Sequence, residues 1–435
     1  MKTRSLVKAV IPRGLFRRVE PYGHLGEAVV LNAKNGSPAR GMRFIGVTGT
    51  DGKTTTCFLI HQMLKSSGYK VAMLTTAAVD YADGVGKHPS PTHMTTPDVS
   101  ALHKAFKKIK AQKPDWVVME TSSHALAQHR VLGVPYSVAV LTNITHEHLD
   151  YHGTMKKYRQ AKLKLFKLTD KNNQGLRTGV INADDPAANM FKKSITNPIT
   201  YGVNSGDLKA EHIKTTPKNN SFKVKMQNTE LNLTVSLPGK FNIYNALAAA
   251  GVGLAIGLHP QQIEKGIASL KQVPGRMTRV EAGQPFEVLV DYAVTPSALK
   301  NVLRAAHEVK KGKVIIVFGA TGDRDKTKRP EMGEVVARNA DRVFLTDDET
   351  YTEDPQAIRR AVYEGIKNAG GESKTTEVED REQAIMQAIS EARTEDVILI
   401  TGLGHQKDRN MGGKLMPWSD IEVARSLIKK INEKS

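Results

Sequence analysis

The sequence predicts an α/β protein built from two parallel-sheet units, and three observations predict it. Short apolar runs alternate with helix-length segments along most of the chain, the order that yields a parallel sheet covered on both faces. The first run leads into a turn rich in glycine and threonine and then into an amphipathic segment. After Pro274-Gly275 the alternation restarts, so a second open sheet, Rossmann-like in its pattern, follows the first.

A chain of 435 residues suits two or three domains. With 40% hydrophobic and 25% charged residues it has globular composition, which excludes a disordered chain or a fibrous repeat. The single cysteine, Cys57, can form neither an internal disulfide nor a cysteine zinc site, and a reducing cytoplasm fits best. No run of about 18 apolar residues offers a transmembrane span. Lys and Arg number 63 against 44 Asp and Glu, a balance of +19 that calls for an anionic partner. Nucleic acid, acidic lipid and phosphorylated small molecules all qualify on charge. Nucleic acid is disfavoured, because only 6% of residues are aromatic and single-strand readers interleave aromatics with basic patches.

In chain order, residues 1–42 are basic and broken by Pro12, Pro21 and Pro38, and read as a short irregular lead segment. Its start, Leu6 to Ile11 with Arg13, Leu15, Phe16, Arg17 and Arg18, has the composition to rest weakly on an anionic membrane surface or to remain a solvated tail. Residues 43–274 form the first unit. Phe44 to Val47 is its first strand, and the following helix carries Leu59, Ile60, Met63 and Leu64 on one face and stops at Gly68. Val71–Leu74, Trp116–Met119, Val138–Leu141 and Val180–Ile181 supply further strands. Between about 205 and 237 strict alternation (Leu231, Leu233, Val235, Leu237) predicts a small antiparallel excursion, and a helix from Asn245 to Ile256 closes the unit. Residues 275–435 form the second unit, with strands at Val288–Val290, Val314–Phe318, Val343–Leu345 and Val397–Ile400. Ligands of open sheets sit beyond the carboxyl ends of the strands, so the residues just after each strand are the first candidates for function.

Gly49-Thr50-Asp51-Gly52-Lys53-Thr54-Thr55-Thr56 joins the first strand to the first helix. Free backbone N–H groups and a helix N-terminus attract phosphate there, Lys53 can reach the β and γ phosphates, and the Thr54 hydroxyl can hold Mg²⁺. The strict spacing requires glycine where Val47 stands, so this is a variant phosphate loop. Glu120 ends the strand Trp116–Met119, where a carboxylate can meet metal and nucleotide; taken alone, such a residue is as readily a cap or an ion-pair partner. His146, Glu147, His148 and His152 fall close together, but without the His-Glu-x-x-His spacing or a cysteine they do not make a zinc protease.

These residues, taken together, resemble one family. The phosphate loop, Glu120-Thr121-Ser122-Ser123-His124, His148-Leu149-Asp150-Tyr151-His152-Gly153 with Ala161-Lys162-Leu163, and Asn242-Ile243-Tyr244-Asn245-Ala246-Leu247-Ala248 are similar to the successive signatures of the Mur ligases. Asp291-Tyr292-Ala293 and Gly322-Asp323-Arg324-Asp325-Lys326 through Pro330 point to the members that add the third amino acid of the peptidoglycan stem. The resemblance implies an ATP-dependent amide ligase in which a peptide carboxylate is phosphorylated and the incoming amine displaces the phosphate. It implies ATP and two Mg²⁺ sites, with Lys53 and Thr54 on phosphate and metal, Glu120 and His148 on a second metal, and Lys162 carbamylated to become an oxygen ligand. Gly49, Thr50, Asp51, Gly52, Thr55, Asn245, Arg276 and Asp291 match nucleotide contacts. Thr95, Thr96, Ser122, Gln128 and Arg130 match contacts to a UDP-N-acetylmuramyl dipeptide, and Arg324 matches the residue on the amino acid's carboxylate. A cytoplasmic monomer is expected. Folylpolyglutamate- and cyanophycin-synthetase-like ligases share the loop and fold and remain the alternative, as does a nucleotide-dependent regulator that no longer ligates.

Departures from the family pattern sharpen the expectation. About 42 residues precede the first strand where the family carries a uridine-diphosphate-gripping domain, and Val294 stands where it has a histidine after Asp-Tyr-Ala. Where diaminopimelate-adding relatives have Asp-Asn-Pro-Arg, this chain has Asp348-Glu349-Thr350-Tyr351, and Gly-Lys-Gly-His-Glu appears as Gly402-Leu403-Gly404-His405-Gln406. Tyrosine supplies no cation for a distal carboxylate, while Asp348 and Glu349 make the pocket acidic. The expected incoming substrate is therefore L-lysine or a similar diamino acid over meso-diaminopimelate, unless Tyr351 merely packs.

Overall fold

Eleven strands order as β11-β10-β9-β8-β7-β6-β1-β5-β2-β3-β4 in the first sheet of the computed structural model, which describes residues 13–90, 94–216, 218–226, 229–309 and 311–433, with 13–22 as backbone only. They are β1 (Phe44–Thr48), β2 (Val71–Leu74), β3 (Ala78–Asp80), β4 (Lys87–Pro89), β5 (Trp116–Glu120), β6 (Tyr136–Leu141), β7 (Thr178–Asn182), β8 (Asn197–Gly202), β9 (Leu208–Thr215), β10 (Asn220–Met226) and β11 (Thr229–Val235). Pairing is parallel from β2 through β5, β1, β6 and β7 to β8, and the expected antiparallel excursion is β9–β10–β11. The central strands are buried end to end, as a doubly covered parallel sheet requires. Helices Lys53–Ser66, Phe241–Ile256 and Pro260–Ser269 cover one face, with Phe58, Leu59, Leu247 and Ile263 in its core. Helices Val99–Ala111 and Met155–Asp170 cover the other, with Phe44, Phe106, Leu165 and Phe166.

The second unit is a six-stranded sheet in the order β12-β13-β17-β14-β15-β16, from β12 (Thr278–Arg279), β13 (Glu287–Asp291), β14 (Val314–Phe318), β15 (Arg342–Leu345), β16 (Thr375–Glu377) and β17 (Val397–Thr401). All its pairs but β12–β13 are parallel. A separate two-stranded hairpin, β18 (Asp408–Met411) and β19 (Lys414–Pro417), stands beside it. Two further cores pack its faces, one around Phe318 and Leu399 and one around Phe344 and Ile389.

The lead segment departs from expectation. Arg13–Lys34 is helical rather than irregular. Proline and glycine content argued for a loop, but Ala28 and His24 bury on one side, and Asn32 Nδ2 donates to Leu132 O at 2.7 Å, so docking overrides local propensity. The apolar start proposed as a membrane contact, Leu6 to Ile11, lies outside the described residues. No helix among the described residues is long and apolar enough to cross a membrane.

Candidate active site

A cleft of about 540 Å³ opens where the carboxyl ends of β1, β2 and β5 face those of β13 and β17 and the segment after β15. Strand order reverses beside β1, which is where an open sheet leaves a crevice for ligand.

The turn after β1 is shaped by contact. A Cβ on Gly49 would stand 1.7 Å from Thr142 Oγ1, and one on Gly52, whose φ is +82°, would stand 2.5 Å from Asn245 Oδ1. Backbone therefore passes where a side chain cannot. No side chain caps the helix that Gly52 begins, so its first amides face the cleft as an anion cradle. Lys53 Nζ donates to Thr50 O at 2.7 Å, an arm folded over the loop it would extend to reach phosphate.

Glu120 is 1% exposed and fully engaged. Its Oε1 accepts from Thr54 Oγ1 at 2.7 Å and its Oε2 from the Thr76 amide and hydroxyl. Thr96 Oγ1 donates to Glu120 O at 2.9 Å and accepts from the Ser122 amide at the same distance. Arg130 reaches Thr96 O and Gln128 Oε1, leaving a cationic edge beside Ser122 in the cleft wall. Gln128 stands behind Arg130 and orients it rather than lining the cleft.

Lys162 is 1% exposed, on the helix Met155–Asp170 whose N-cap Thr154 accepts from Lys157 N. Its Nζ donates to Gly49 O at 2.6 Å and lies 4.5 Å from the Tyr158 ring centre. Burial first, and Lys53 second, hold its amine well below the usual lysine range, which favours the uncharged, nucleophilic form. His148 takes the left-handed conformation, φ +59°, and burial together with His124, Lys162, Lys328 and Lys53 keeps its imidazole neutral. The expected histidine cluster divides. His152 is buried on Ser123 Oγ at 3.0 Å, His146 turns outward toward Asp325, and His148 remains in the cleft.

The donors present suit magnesium: Thr54 Oγ1 and Glu120 Oε1 form an oxygen pair at the edge of the phosphate cradle, and Mg²⁺ takes few protein oxygens and keeps its waters. Among the described residues no three His, Cys, Asp or Glu side chains converge as a preformed metal site.

The second unit supplies the opposite wall. Arg276 Nη2 donates to Thr54 Oγ1 at 3.1 Å, its guanidinium lying over the Tyr292 ring, and Thr295 donates to Asp51 at 3.3 Å. Asp291 accepts from Met277 N at 2.8 Å, and burial pushes its carboxyl up to about 6. Asn245, from the first unit, bonds Thr56 and Asn242 beneath the loop. His405 contacts Thr76 O at 3.0 Å. Farther out, Arg324 lies over the Tyr351 ring and donates to its hydroxyl at 3.2 Å. Glu349 accepts from Gln406 Nε2 at 3.3 Å, Asn410 N at 3.1 Å and the Tyr351 hydroxyl at 3.5 Å. Asp348 does not reach the cleft. It lies below, accepts from Glu349 N, and aims Oδ2 at Gly402, where a Cβ would meet it at 2.0 Å.

Most candidates therefore share one cleft, among them Thr50, Asp51, Thr55 and Thr95. Sequence reasoning missed Thr76, His124, Glu147, Tyr151, Thr295 and Lys328, which also line it. Thr76 follows a strand, a position the carboxyl-end rule marks; His124 stands inside a quoted motif, its imidazole driven down to about 3 by burial and by His152. Glu147 and Tyr151 also stand inside quoted segments of the first unit, while Thr295 and Lys328 needed the second unit in place.

The chain matches the Mur ligase middle domain over residues 47–253 and the Mur ligase, glutamate ligase domain over 275–404. It is 40% identical over 411 residues to the UDP-N-acetylmuramoyl-L-alanyl-D-glutamate--2,6-diaminopimelate ligase of Bacillus velezensis, covering 94% of this chain and 82% of that protein. The enzyme of the same name from Geobacillus thermodenitrificans is 38% identical over 416 residues, covering 95% and 84%. A solved structure of a ligase with that name superimposes with TM-score 0.60 at 31% identity, covering 90% of this chain and 79% of the other. The folylpolyglutamate synthase of Mycobacterium tuberculosis, solved with ADP and AMPPCP, gives TM-score 0.71 at 17% identity over 87% and 92%, a likeness of fold.

Proposed function

This chain belongs to the Mur ligase family, and we propose that it joins an amino acid to a UDP-N-acetylmuramyl dipeptide, driven by ATP, through an acyl phosphate. The observation that carries the reading is the Thr54–Glu120–Thr76 chain of hydrogen bonds beside Lys53, with Arg276 reaching Thr54 from the other unit. Phosphate, acceptor and both units meet there.

A carboxylate is a poor electrophile, so an amide needs prior activation. The dipeptide carboxylate, held by Arg130 and Ser122, attacks the γ-phosphorus of ATP and ADP leaves; the amine then attacks the acyl carbon, and phosphate departs with the electron pair of the broken C–O bond and the proton the nitrogen sheds. The loop amides of 52–55 and Lys53 bind the phosphates, and Arg276 and Asp291 hold the nucleotide against the second unit. Thr54, Glu120 and His148 would hold magnesium, with Lys162 joining them as a carbamate. The cations would offset repulsion between two anions that must touch. Lys162 suits carbamylation because burial shifts its amine toward the uncharged form, the form that adds CO₂. Arg324 holds the incoming carboxylate. Proximity contributes as well, since closure of the two walls fixes three reactants in one cleft. ATP use and the single buried thiol Cys57 suit the cytoplasm, and one chain completes the cleft as a monomer.

For the incoming amino acid, we read the Glu349 carboxylate with the Tyr351 hydroxyl as a terminus for an amine, which favours L-lysine or a similar diamino acid over meso-diaminopimelate, the substrate named for the relatives above. Phosphate release assayed with the UDP-linked dipeptide and each amino acid in turn tests both statements. No release with any amino acid sinks the ligase reading; preferential incorporation of diaminopimelate from an equimolar mixture sinks only the second.

A further inference from the structure

Two four-residue segments from different units clasp one another at the edge of the cleft. In the first unit, His146-Glu147-His148-Leu149 leads into a short helix; in the second, Asp325-Lys326-Thr327-Lys328 leads into the helix Lys328–Asn339. Lys328 Nζ meets Glu147 Oε1 at 2.9 Å, with both side chains at most 7% exposed. Asp325 Oδ2 accepts from Leu149 N at 3.3 Å and faces His146 Nε2 at 3.8 Å, while its Oδ1 is fixed by the Thr327 amide and hydroxyl. The residues on either side of His148 are thus tied to the second unit. His148 itself needs such ties, because a non-glycine residue at positive φ persists only where its surroundings over-determine it. Glu147 Oε1 also stands 3.6 Å from His148 Nδ1, so the ion pair bears on the ring as well as on the backbone. Arg324, assigned above to the amino acid's carboxylate, immediately precedes Asp325.

We infer that Asp325 and Lys328 are positioning residues: they hold His148 in its metal-facing conformation, so that seating the amino-acid loop and completing the metal edge are one event. The inference rests on the reading of His148 as a magnesium ligand and of Arg324 as the amino-acid reader. A chain whose units had parted would keep the phosphate loop and Glu120, both local to the first unit, but would leave His148 only its first-unit contacts, with the His124 ring at 4.6 Å and the amides of Tyr151 and His152. Nucleotide binding and metal binding should then respond differently to the same substitution.

The test uses Mn²⁺ as the probe, titrated by electron paramagnetic resonance on the full chain with AMPPCP present, alongside steady-state phosphate release. Lys328→Met removes the cation and leaves the buried Glu147 facing only His148, so Asp325→Asn, which keeps volume, serves as the second variant. Expected for both is a Mn²⁺ affinity at least five-fold weaker, a matching rise in the Mg²⁺ needed for half-maximal turnover, and a KM for ATP within two-fold of the unaltered chain. Lys328→Arg should restore most of the metal affinity. Folded Lys328→Met and Asp325→Asn proteins that bind Mn²⁺ as tightly as the unaltered chain would overturn the inference. Failure of the unaltered chain itself to bind Mn²⁺ would overturn the metal reading of His148, and this inference with it.

Discussion

The two walls of the cleft are built in opposite ways. On the first sheet, the groups at the ends of β1, β2 and β5 hold one another: Thr54, Glu120, Thr76, Thr96 and Ser122 form a chain of bonds at 2.7–2.9 Å, nearly all out of solvent. On the second unit, Arg324, Tyr351, Glu349 and Gln406 come from three separate segments and meet at 3.2–3.5 Å, with Arg324 exposed. On the function proposed above, the first wall handles the same phosphates in every turnover, and such a wall gains from being fixed in advance, because preorganised dipoles need not rearrange as charge develops. A wall that reads a variable side chain can differ without disturbing the other. Mutations should therefore split by wall, abolishing chemistry on the first and shifting preference on the second.

The largest effect belongs to Lys53. Lys53→Ala removes the cation from a loop whose shape is set by Gly49 and Gly52 rather than by the lysine, so the fold should survive while phosphate release falls by about three orders of magnitude. Circular dichroism and a phosphate-release assay on the same sample check both halves; near-normal turnover would break the division between the walls. Lys162→Ala comes next, with a loss of roughly a hundred-fold if its carbamate is a metal ligand. Short carboxylates should restore part of that activity, and ¹³C-bicarbonate should give a carbamate signal in the unaltered chain. An active chain whose Lys162 carries no such signal would remove the lysine from the metal set.

The same division explains what could be read in advance. Both sheets, the antiparallel excursion and the glycine turn after β1 were legible, because each rests on residues adjacent in sequence: a buried run such as Val314–Phe318, an alternation such as Leu231 to Leu237, or Gly49 through Thr56. Glu120 was legible as a strand end and Thr54 as a loop hydroxyl, although the bond between them and the second partner, Thr76, were not. The helix Arg13–Lys34 was not legible, since what stabilises it is a bond from Asn32 to a carbonyl a hundred residues away. Lys328 and Thr295 were missed for the same reason: each becomes part of the cleft only when the second unit closes on Glu147 and Asp51. Asp348 was read as a lining group from its place after β15, but charge in a sequence carries no direction, and the side chain points down at Gly402.

On the second wall the expected effects are smaller and change selectivity. Tyr351 sits at φ +49° with its amide on Asn410 O, so its side chain is aimed by the β18 hairpin at Arg324 and Glu349. Tyr351→Arg would place a second cation there, able to pair with a distal carboxylate. The ratio of kcat/KM for diaminopimelate to that for lysine should rise about ten-fold, which is roughly 1.4 kcal/mol. Phosphate release with the better substrate should stay within a few-fold of the unaltered chain, and a ten-fold fall with both amino acids would show that the two walls are not separable.

The smallest effect concerns stability and pH. Burial raises the Asp348 carboxyl to about 6 from an ordinary 3.8, and its Oδ2 has no hydrogen-bond partner among the described residues. A carboxyl raised in the folded state favours folding while it is protonated, so that contribution is complete below about pH 4 and is lost as pH climbs through 6. Ionising so deeply buried a carboxyl costs at most about 3 kcal/mol, and relaxation around Gly402 should leave about 1. Asp348→Asn keeps an oxygen for Glu349 N and replaces the unpartnered Oδ2 with a neutral amide. The variant should melt a few degrees above the unaltered chain at about pH 7.5 and level with it at about pH 3.5. An equal gain at both pH values would mean that packing against Gly402, and not the charge, sets the difference. The amino-acid wall would then be acidic only at Glu349, and any preference for an amine-ended substrate would rest on that residue and Tyr351.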